Sequence, residues 1–351
     1  MVFIMSVSII IPVYNVEQYI EECLRSVMQQ TYSGAVECLI VDDCGTDGSI
    51  AIVKRLIGEY SGPIRFEILH HEHNRGVAAA RNTGTMKAKG DYIYYLDSDD
   101  EITADCIEKM MAIASQDPDI EMVQGNYIRF SDGKQIHGPR EISIVHASTN
   151  EEVRKCFYKE RQITVYTWNK LLKRSVILDN LLYLNEGLVW EEDTAWTYCS
   201  LKYITNAYFL RDITYLYKNR PNSYITGTTQ CAKEIYRLKR NHYIITHLTP
   251  GYELEELEYY TMPFIGLFLR HSYHMPELTD DLLAFMHNAW KFRKYKFCVL
   301  LAISFALRRT KRVGRYVFSL FYRLEHPTQI PKDFHRLISL CQACSLTNDK
   351  D

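Results

Sequence analysis

Gly90–Glu101 reads GDYIYYLDSDDE, and the fold class turns on it. Tyr92 to Leu96 is a short run of aromatic and β-branched residues, the pattern of a buried strand. The run stops at Asp97-Ser98-Asp99-Asp100. Side chains alternate along a strand, so Asp97 and Asp99 are expected to point the same way just past its end. In open α/β sheets, ligands bind beyond the carboxyl ends of the strands. Two hard carboxylates at such a place suit Mg²⁺ or Mn²⁺, which take one or two protein carboxylates and leave the rest of the shell to water and phosphate. The competing reading is an acidic turn that caps a following helix near Thr103, because Asp is common in turns and at helix starts.

The residues upstream repeat one pattern. Val77 to Ala88 is a small-residue helix carrying Arg81 and Asn82, entered through Asn74-Arg75-Gly76. Before it, Ile64 to Leu69 reads as a strand. Cys38 to Val41 is another, ending in Asp42-Asp43. Val53, Leu56, Ile57 and Tyr60 mark the helix between them at helical spacing. The first strand is the apolar run Val7 to Val13, followed by Tyr14-Asn15. Asn15 is expected to cap the helix marked by Ile20, Cys23, Leu24 and Val27, with Gln18 three residues on. Strand–helix alternation with short loops predicts a doubly wound sheet with parallel strands. Tyr14-Asn15, Asp42-Asp43 and Asp97–Asp100 then all fall at carboxyl ends, the edge where a nucleotide lies. No G-x-G-x-x-G follows the first strand and no Walker A sequence is present, which disfavours a dinucleotide site and excludes a P-loop NTPase.

Downstream, Ile107, Met110, Met111 and Ile113 predict a helix, Met122 to Ile128 a strand, and Ser131-Asp132-Gly133-Lys134 a hairpin-like turn. Glu191-Glu192-Asp193 precedes a helix expected from Thr194 to Lys202, and a strand is expected from Ile213 to Tyr217. From about Cys231 onward the pattern is helical. The stretch 291–323 carries ten Lys/Arg and no Asp/Glu around the apolar FCVLLAISFAL of 297–307. Such a segment fits either docking on an anionic membrane surface or a helix packed in a core with its basic residues in water.

Composition adds limits. The net charge of −2 points to no particular partner, and no nucleic acid is expected. Residues 231–351 nevertheless hold 18 Lys+Arg against 12 Asp+Glu, while residues 1–230 hold 23 against 31, so the two parts differ in character. The ten cysteines are scattered without zinc or disulfide-framework spacing. The apolar start lacks a basic n-region and leads straight into the first strand, so it reads as structure, not a signal peptide. No apolar run reaches the ~20 residues that cross a bilayer. A cytoplasmic protein is expected, with the inner face of the plasma membrane as a docking place if 291–323 binds lipid.

The combination SIIIPVYN, SVMQQTY, ECLIVDDCGTDGS and NRGVAAARNTGTMKAKGDYIYYLDSDD resembles the nucleotide-binding half of family 2 glycosyltransferases with the GT-A fold, of the bacterial surface-glycan type. The resemblance covers about the first hundred residues, with weaker echoes to about residue 225. It implies a Rossmann-like mixed sheet flanked by helices, here with a C-terminal helical extension. It implies a catalytic domain over 1–230, with a nucleotide-sugar-binding half (1–100) and an acceptor half (101–230), and a helical region over 231–351. The implied activity is inverting transfer of a hexosyl or N-acetylhexosaminyl unit from a nucleotide-diphosphate sugar, expected to be UDP-linked. The implied acceptor is a hydroxyl of a growing surface polysaccharide or lipid-linked oligosaccharide. A catalytically inactive nucleotide-sugar-binding protein and a sugar nucleotidyltransferase are the rivals. The latter needs a Gly-rich, Arg-containing loop where this chain has PVYNVEQY.

Carried over residue by residue, Pro12, Tyr14 and Asn15 are expected against base and ribose. Asp43, with Asp42 as fallback, is expected to accept from the nucleobase imide. Arg81 is expected near the nucleotide, or paired to Asp42 or Asp43 to order the loop. Asp97 and Asp99 become the DXD motif around Ser98, Asp97 toward ribose and Asp99 on the Mn²⁺ or Mg²⁺. Asp193 is the expected base with Glu192 second, and both also suit the first turn of a helix. Trp168 and Lys170, in TWNKLLKRSVI, fall on the acceptor side, Trp168 as either a sugar platform or a buried core aromatic. Arg220 in RPNSY is expected near the diphosphate, or solvated in a loop.

Overall fold

The computed structural model describes residues 5–219, except 132 and 189, and scattered positions from 233 to 244. The chain divides into two compact units, Met1–Gln230 and Cys231–Asp351. Arg220 and the basic stretch 291–323 lie outside the described residues.

The first unit opens as four strand–helix repeats: β1 (Val7–Val13), α1 (Ile20–Met28), β2 (Val36–Asp42), α2 (Ser49–Glu59), β3 (Arg65–His70), α3 (Val77–Lys87) and β4 (Tyr92–Tyr95). There follow β5 (Glu101–Ile102), α4 (Cys106–Ala114), β6 (Met122–Ser131), β7 (Lys134–His137), β8 (His146–Ala147) and α5 (Asn150–Tyr158). The last described elements of this unit are β9 (Lys170–Lys173), α6 (Arg174–Asp179), α7 (Glu192–Ser200) and β10 (Ala207–Asn219).

One mixed sheet runs β3-β2-β1-β4-β9-β6-β10-β5, with β7 on β6 and β8 on β10. The first four strands pair in parallel, as their alternation with helices requires. β9 lies antiparallel between β4 and β6. Two reversals restore direction, so β6 and its parallel neighbour β10 run the same way as β4. The carboxyl ends of β1, β2, β4, β6 and β10 therefore share one edge.

Pleating divides the core between the faces. Ile9, Ile11, Val13, Tyr92 and Tyr94 pack in one cluster with Leu24 and Val27 of α1, Val53 of α2 and Met110 of α4. Ile10 and Tyr95 point to the other face, where α3 and α7 lie. Gly84 of α3 sits so close to Ile10 that a Cβ would collide with its side chain. Tyr95 meets Trp196 of α7 edge-on at 5.9 Å and shares a hydrogen bond with Thr85 of α3. The small residues of α3 thus let one helix ride directly over β1 and β2, beside the strand that ends in the acidic motif.

Two local expectations change. Asn15 does not cap α1: it adopts φ 51°, the cap position is Tyr19, and the Asn15 Oδ1 accepts from Thr46 N at 2.8 Å. The left-handed residue turns the chain away before the helix starts, and its side chain ties the β1 tip to the loop after β2. The acidic motif likewise does not cap α4, whose N-cap position is Asp105. The hairpin at 131–134 is as expected, with Ser131 opposite Lys134.

Candidate active site

The strand tips bring the predicted residues to one edge but give them unequal exposure. Tyr14 is 45% exposed at the β1 tip, while Pro12 is buried within the strand. Asp42 Oδ2 lies 2.9 Å from His70 Nδ1. Asp43 is only 2% exposed. Its Oδ1 accepts from Arg75 N at 2.8 Å and meets His71 Nδ1 at 2.7 Å, and its Oδ2 accepts from Gly76 N at 2.8 Å. The far nitrogen of His71 reaches Thr83 Oγ1 at 2.9 Å. Asp43 therefore shapes the entry to α3, where Gly76 supplies φ +88°. His71 escaped sequence reasoning, although a histidine at the carboxyl end of β3, in ILHH, was a visible signal.

Arg81 pairs with neither Asp42 nor Asp43. From the first turns of α3 it spans two other carboxylates, donating from Nη2 to Asp97 Oδ1 at 2.7 Å and from Nη1 to Glu192 Oε1 at 2.9 Å. Its side chain is 5% exposed, and Nε has no hydrogen-bond partner. Burial works against its charge, but the charges of Asp97 and Glu192 outweigh that and hold it protonated. One cation thus joins the tip of β4 to the start of α7, more than ninety residues apart in the chain.

Glu192 and Asp193 occupy the first turn of α7, entered through Glu191 in the left-handed region at φ 57°. Burial raises the Glu192 carboxyl against the pull of Arg81. The Asp193 carboxyl is raised to about 7 through burial and the adjacent Glu192 charge, with Arg81 opposing. Its Oδ1 accepts from Thr194 N at 2.6 Å. The neighbours have different surroundings: Glu192 is committed to a salt bridge, whereas Asp193 makes no ion pair among the described residues and has a carboxyl raised to about 7. That is the environment of a general base.

Asp97, Asp99 and Asp100 bring carboxylate oxygens within 4.8 Å of one another. Asp100 is buried, taking hydrogen bonds from Tyr215 Oη and Lys218 N, both at 2.7 Å. Burial and the charges of Asp99 and Asp97 push its carboxyl well above the usual range. Asp97 and Asp99 are more open, while Ser98 between them is buried. Crowded hard oxygen donors whose charges oppose each other fit a divalent cation, with Asp97 and Asp99 as the residues to hold it and Asp100 pinned to β10.

Residues 8–179 match the family model described as glycosyl transferase family 2. They are a family 2 glycosyltransferase domain, and its fold is GT-A. The chain is 28% identical over 220 residues to the uncharacterized glycosyltransferase EpsJ of Bacillus subtilis, covering 62% of this chain and 62% of that relative. The chain thus spans about three fifths of that relative's length. The S. aureus TarS 1–349 structure in complex with UDP-GlcNAc aligns at TM-score 0.63 and 20% identity, over 91% of this chain and 90% of that one. The mannosyltransferase PcManGT of Pyrobaculum calidifontis, in complex with GDP-Man and Mn²⁺, aligns at 0.51 and 18%, over 93% and 89%.

Trp168 and Lys170, expected on the acceptor side, are both buried. Trp168 is 3% exposed, stacked against Tyr166 at 4.4 Å and Tyr215 at 4.3 Å, with Tyr127 edge-on at 5.1 Å. It presents no open face to a sugar, and of the two readings the core aromatic is the one its packing supports. Lys170 is 1% exposed. Its Nζ donates to Thr164 Oγ1 at 2.9 Å and to the Tyr166 carbonyl, so it pins the loop before β9. Burial pushes its ammonium down to about 7. Residue type and position could not tell these buried side chains from ligand contacts.

Proposed function

We propose that this protein is an inverting glycosyltransferase that moves a sugar from a UDP-linked donor to an acceptor hydroxyl of a growing surface polysaccharide or lipid-linked oligosaccharide. The observation that carries the reading is the Asp97–Arg81–Glu192 bridge. It couples the metal-type carboxylates at the β4 tip to the helix turn that bears Asp193. The UDP-GlcNAc in the TarS structure and the GDP-Man and Mn²⁺ in the PcManGT structure support a nucleotide-sugar donor and a metal at a GT-A site.

In this reading the acceptor oxygen attacks the anomeric carbon from the face opposite the diphosphate. The carbon–oxygen bond to the diphosphate breaks, its electrons leave with the diphosphate, and Asp193 takes the hydroxyl proton. Glu192 and Arg81 hold the helix turn and Asp97 in fixed relation, so the base keeps its distance from the donor. Tyr14 offers a ring at the rim for the base, and Asp43 holds the loop that faces it. A bound Mn²⁺ or Mg²⁺, held by Asp97 and Asp99, would supply positive charge for the departing diphosphate.

The test is a panel of nucleotide sugars with Mn²⁺, scored by release of nucleoside diphosphate. Wild type should turn over at least one donor, and both EDTA and Asp99→Ala should abolish that turnover without lowering the melting temperature. Donor binding without turnover by wild type, on any acceptor offered, would favour the inactive binding protein instead.

A further inference from the structure

Arg129 stands near the carboxyl end of β6, opposite Tyr217 of β10 and His137 of β7. Its guanidinium carbon lies 4.9 Å from the Tyr217 ring centre, 5.7 Å from that of Tyr127 and 5.8 Å from that of Tyr166. Its Nη2 donates to Tyr166 Oη at 2.6 Å. Among the described residues no carboxylate comes within salt-bridge distance of it, and its Nε is buried without a hydrogen-bond partner. Arg25, Arg55, Arg65, Arg75 and Arg81 all pair with carboxylates. A partly buried cation whose described neighbours are aromatic rings and one hydroxyl has no carboxylate among them to compensate its charge.

The cage borders both halves of the chemistry. Val165, next to Tyr166, accepts at its carbonyl from Thr197 Oγ1 of α7, the helix that bears Asp193, at 2.9 Å. Lys218, next to Tyr217, donates from its backbone N to Asp100 Oδ1 at 2.7 Å. β6 runs parallel to β4, so Arg129 shares the sheet edge of the acidic motif. β9 stands between those two strands, which puts Arg129 on the side away from β1 and β2 and the expected nucleotide.

We infer that Arg129 binds an anionic group of the acceptor, a phosphate or a carboxylate, beside the base. The inference rests on the glycosyltransferase reading and narrows its substrate class to acidic glycans or polyol phosphates. The planar fork of Arg, braced by tyrosine rings, matches either anion.

The experiment titrates the full chain with three oligomers of equal length: a glycerol phosphate oligomer, an oligogalacturonate and a neutral malto-oligosaccharide. UDP is titrated in parallel. Wild type should prefer one charged oligomer over the neutral one, and which one tells phosphate from carboxylate. Arg129→Gln should lose about ten- to hundredfold on that oligomer, the range for a charge-assisted hydrogen bond. Arg129→Lys, which keeps the charge inside the cage, should lose less and carries the comparison if the Gln variant melts early. Equal affinity of wild type for neutral and charged oligomers would overturn the inference. So would an unchanged affinity in both variants, or UDP affinity falling in step, which would assign Arg129 to the donor. These readouts need no turnover, so a protein that binds the anion but consumes no donor would sink the proposed activity and leave this site standing.

Discussion

Arg81→Met is the sharpest perturbation of this architecture. Met is similar in length and apolar, so the side-chain volume between α3 and the sheet is largely kept. What is lost is the cation between Asp97 and Glu192, whose side chains are 26% and 10% exposed. Removing one partner of a buried pair leaves an uncompensated charge and costs about 3–5 kcal/mol. A domain of this size loses roughly 2–4 °C per kcal/mol, which predicts a fall of about 6–20 °C in melting temperature. The assay is thermal unfolding followed by circular dichroism at pH 8. The deficit should shrink as pH falls, because Glu192, raised by burial and now free of the opposing pull of Arg81, takes up a proton more readily and no longer needs the cation. Adding Glu192→Gln should recover part of the loss, since the amide carries no charge to strand. Nucleotide-sugar turnover should collapse in the single variant even well below its melting point. A variant that melts within about 2 °C of wild type would refute the bridge as the joint between the β4 tip and α7, because a buried pair broken on one side cannot be that cheap.

Asp193→Asn should lower kcat by about 10²–10⁴-fold, the usual worth of a general base, and wild-type activity should climb with pH through about 7, where the Asp193 carboxyl ionises. The sign for stability is opposite. The folded value lies above the ordinary 3.8, so ionisation weakens the fold as pH rises from there to about 7. The Asn variant should therefore melt higher than wild type at pH 8 and alike near pH 4; a flat difference across that range would count against a raised carboxyl. Trp168→Ala should cost about 3–5 kcal/mol of stability as a truncated buried aromatic, with Trp168→Phe recovering most of it. A Trp168→Ala protein that melts like wild type but has a higher acceptor KM would restore the sugar-platform reading.

Much of the fold was legible because it is local. Val7–Val13, the small-residue helix at Val77–Lys87 and the strand at Tyr92–Tyr95 announce themselves by run length, β-branching and turn residues, and alternation of strands with helices compels parallel pairing. The same logic placed Asp42-Asp43 and Asp97–Asp100 at one edge, since parallel strands end together. Asp193 was singled out by the family resemblance, since residue type alone equally suits the first turn of a helix. Partner choice was not local. That Arg81 answers Asp97 and Glu192, that Asp43 is consumed by His71 and the Gly76 turn, and that Trp168 is sealed between tyrosines depend on strands distant in sequence becoming neighbours. Burial and the pairing of charges are properties of the packed sheet: a side chain's chemistry is written in its own residue, whereas its solvation and counter-charge come from residues that only the tertiary fold brings within a few ångströms.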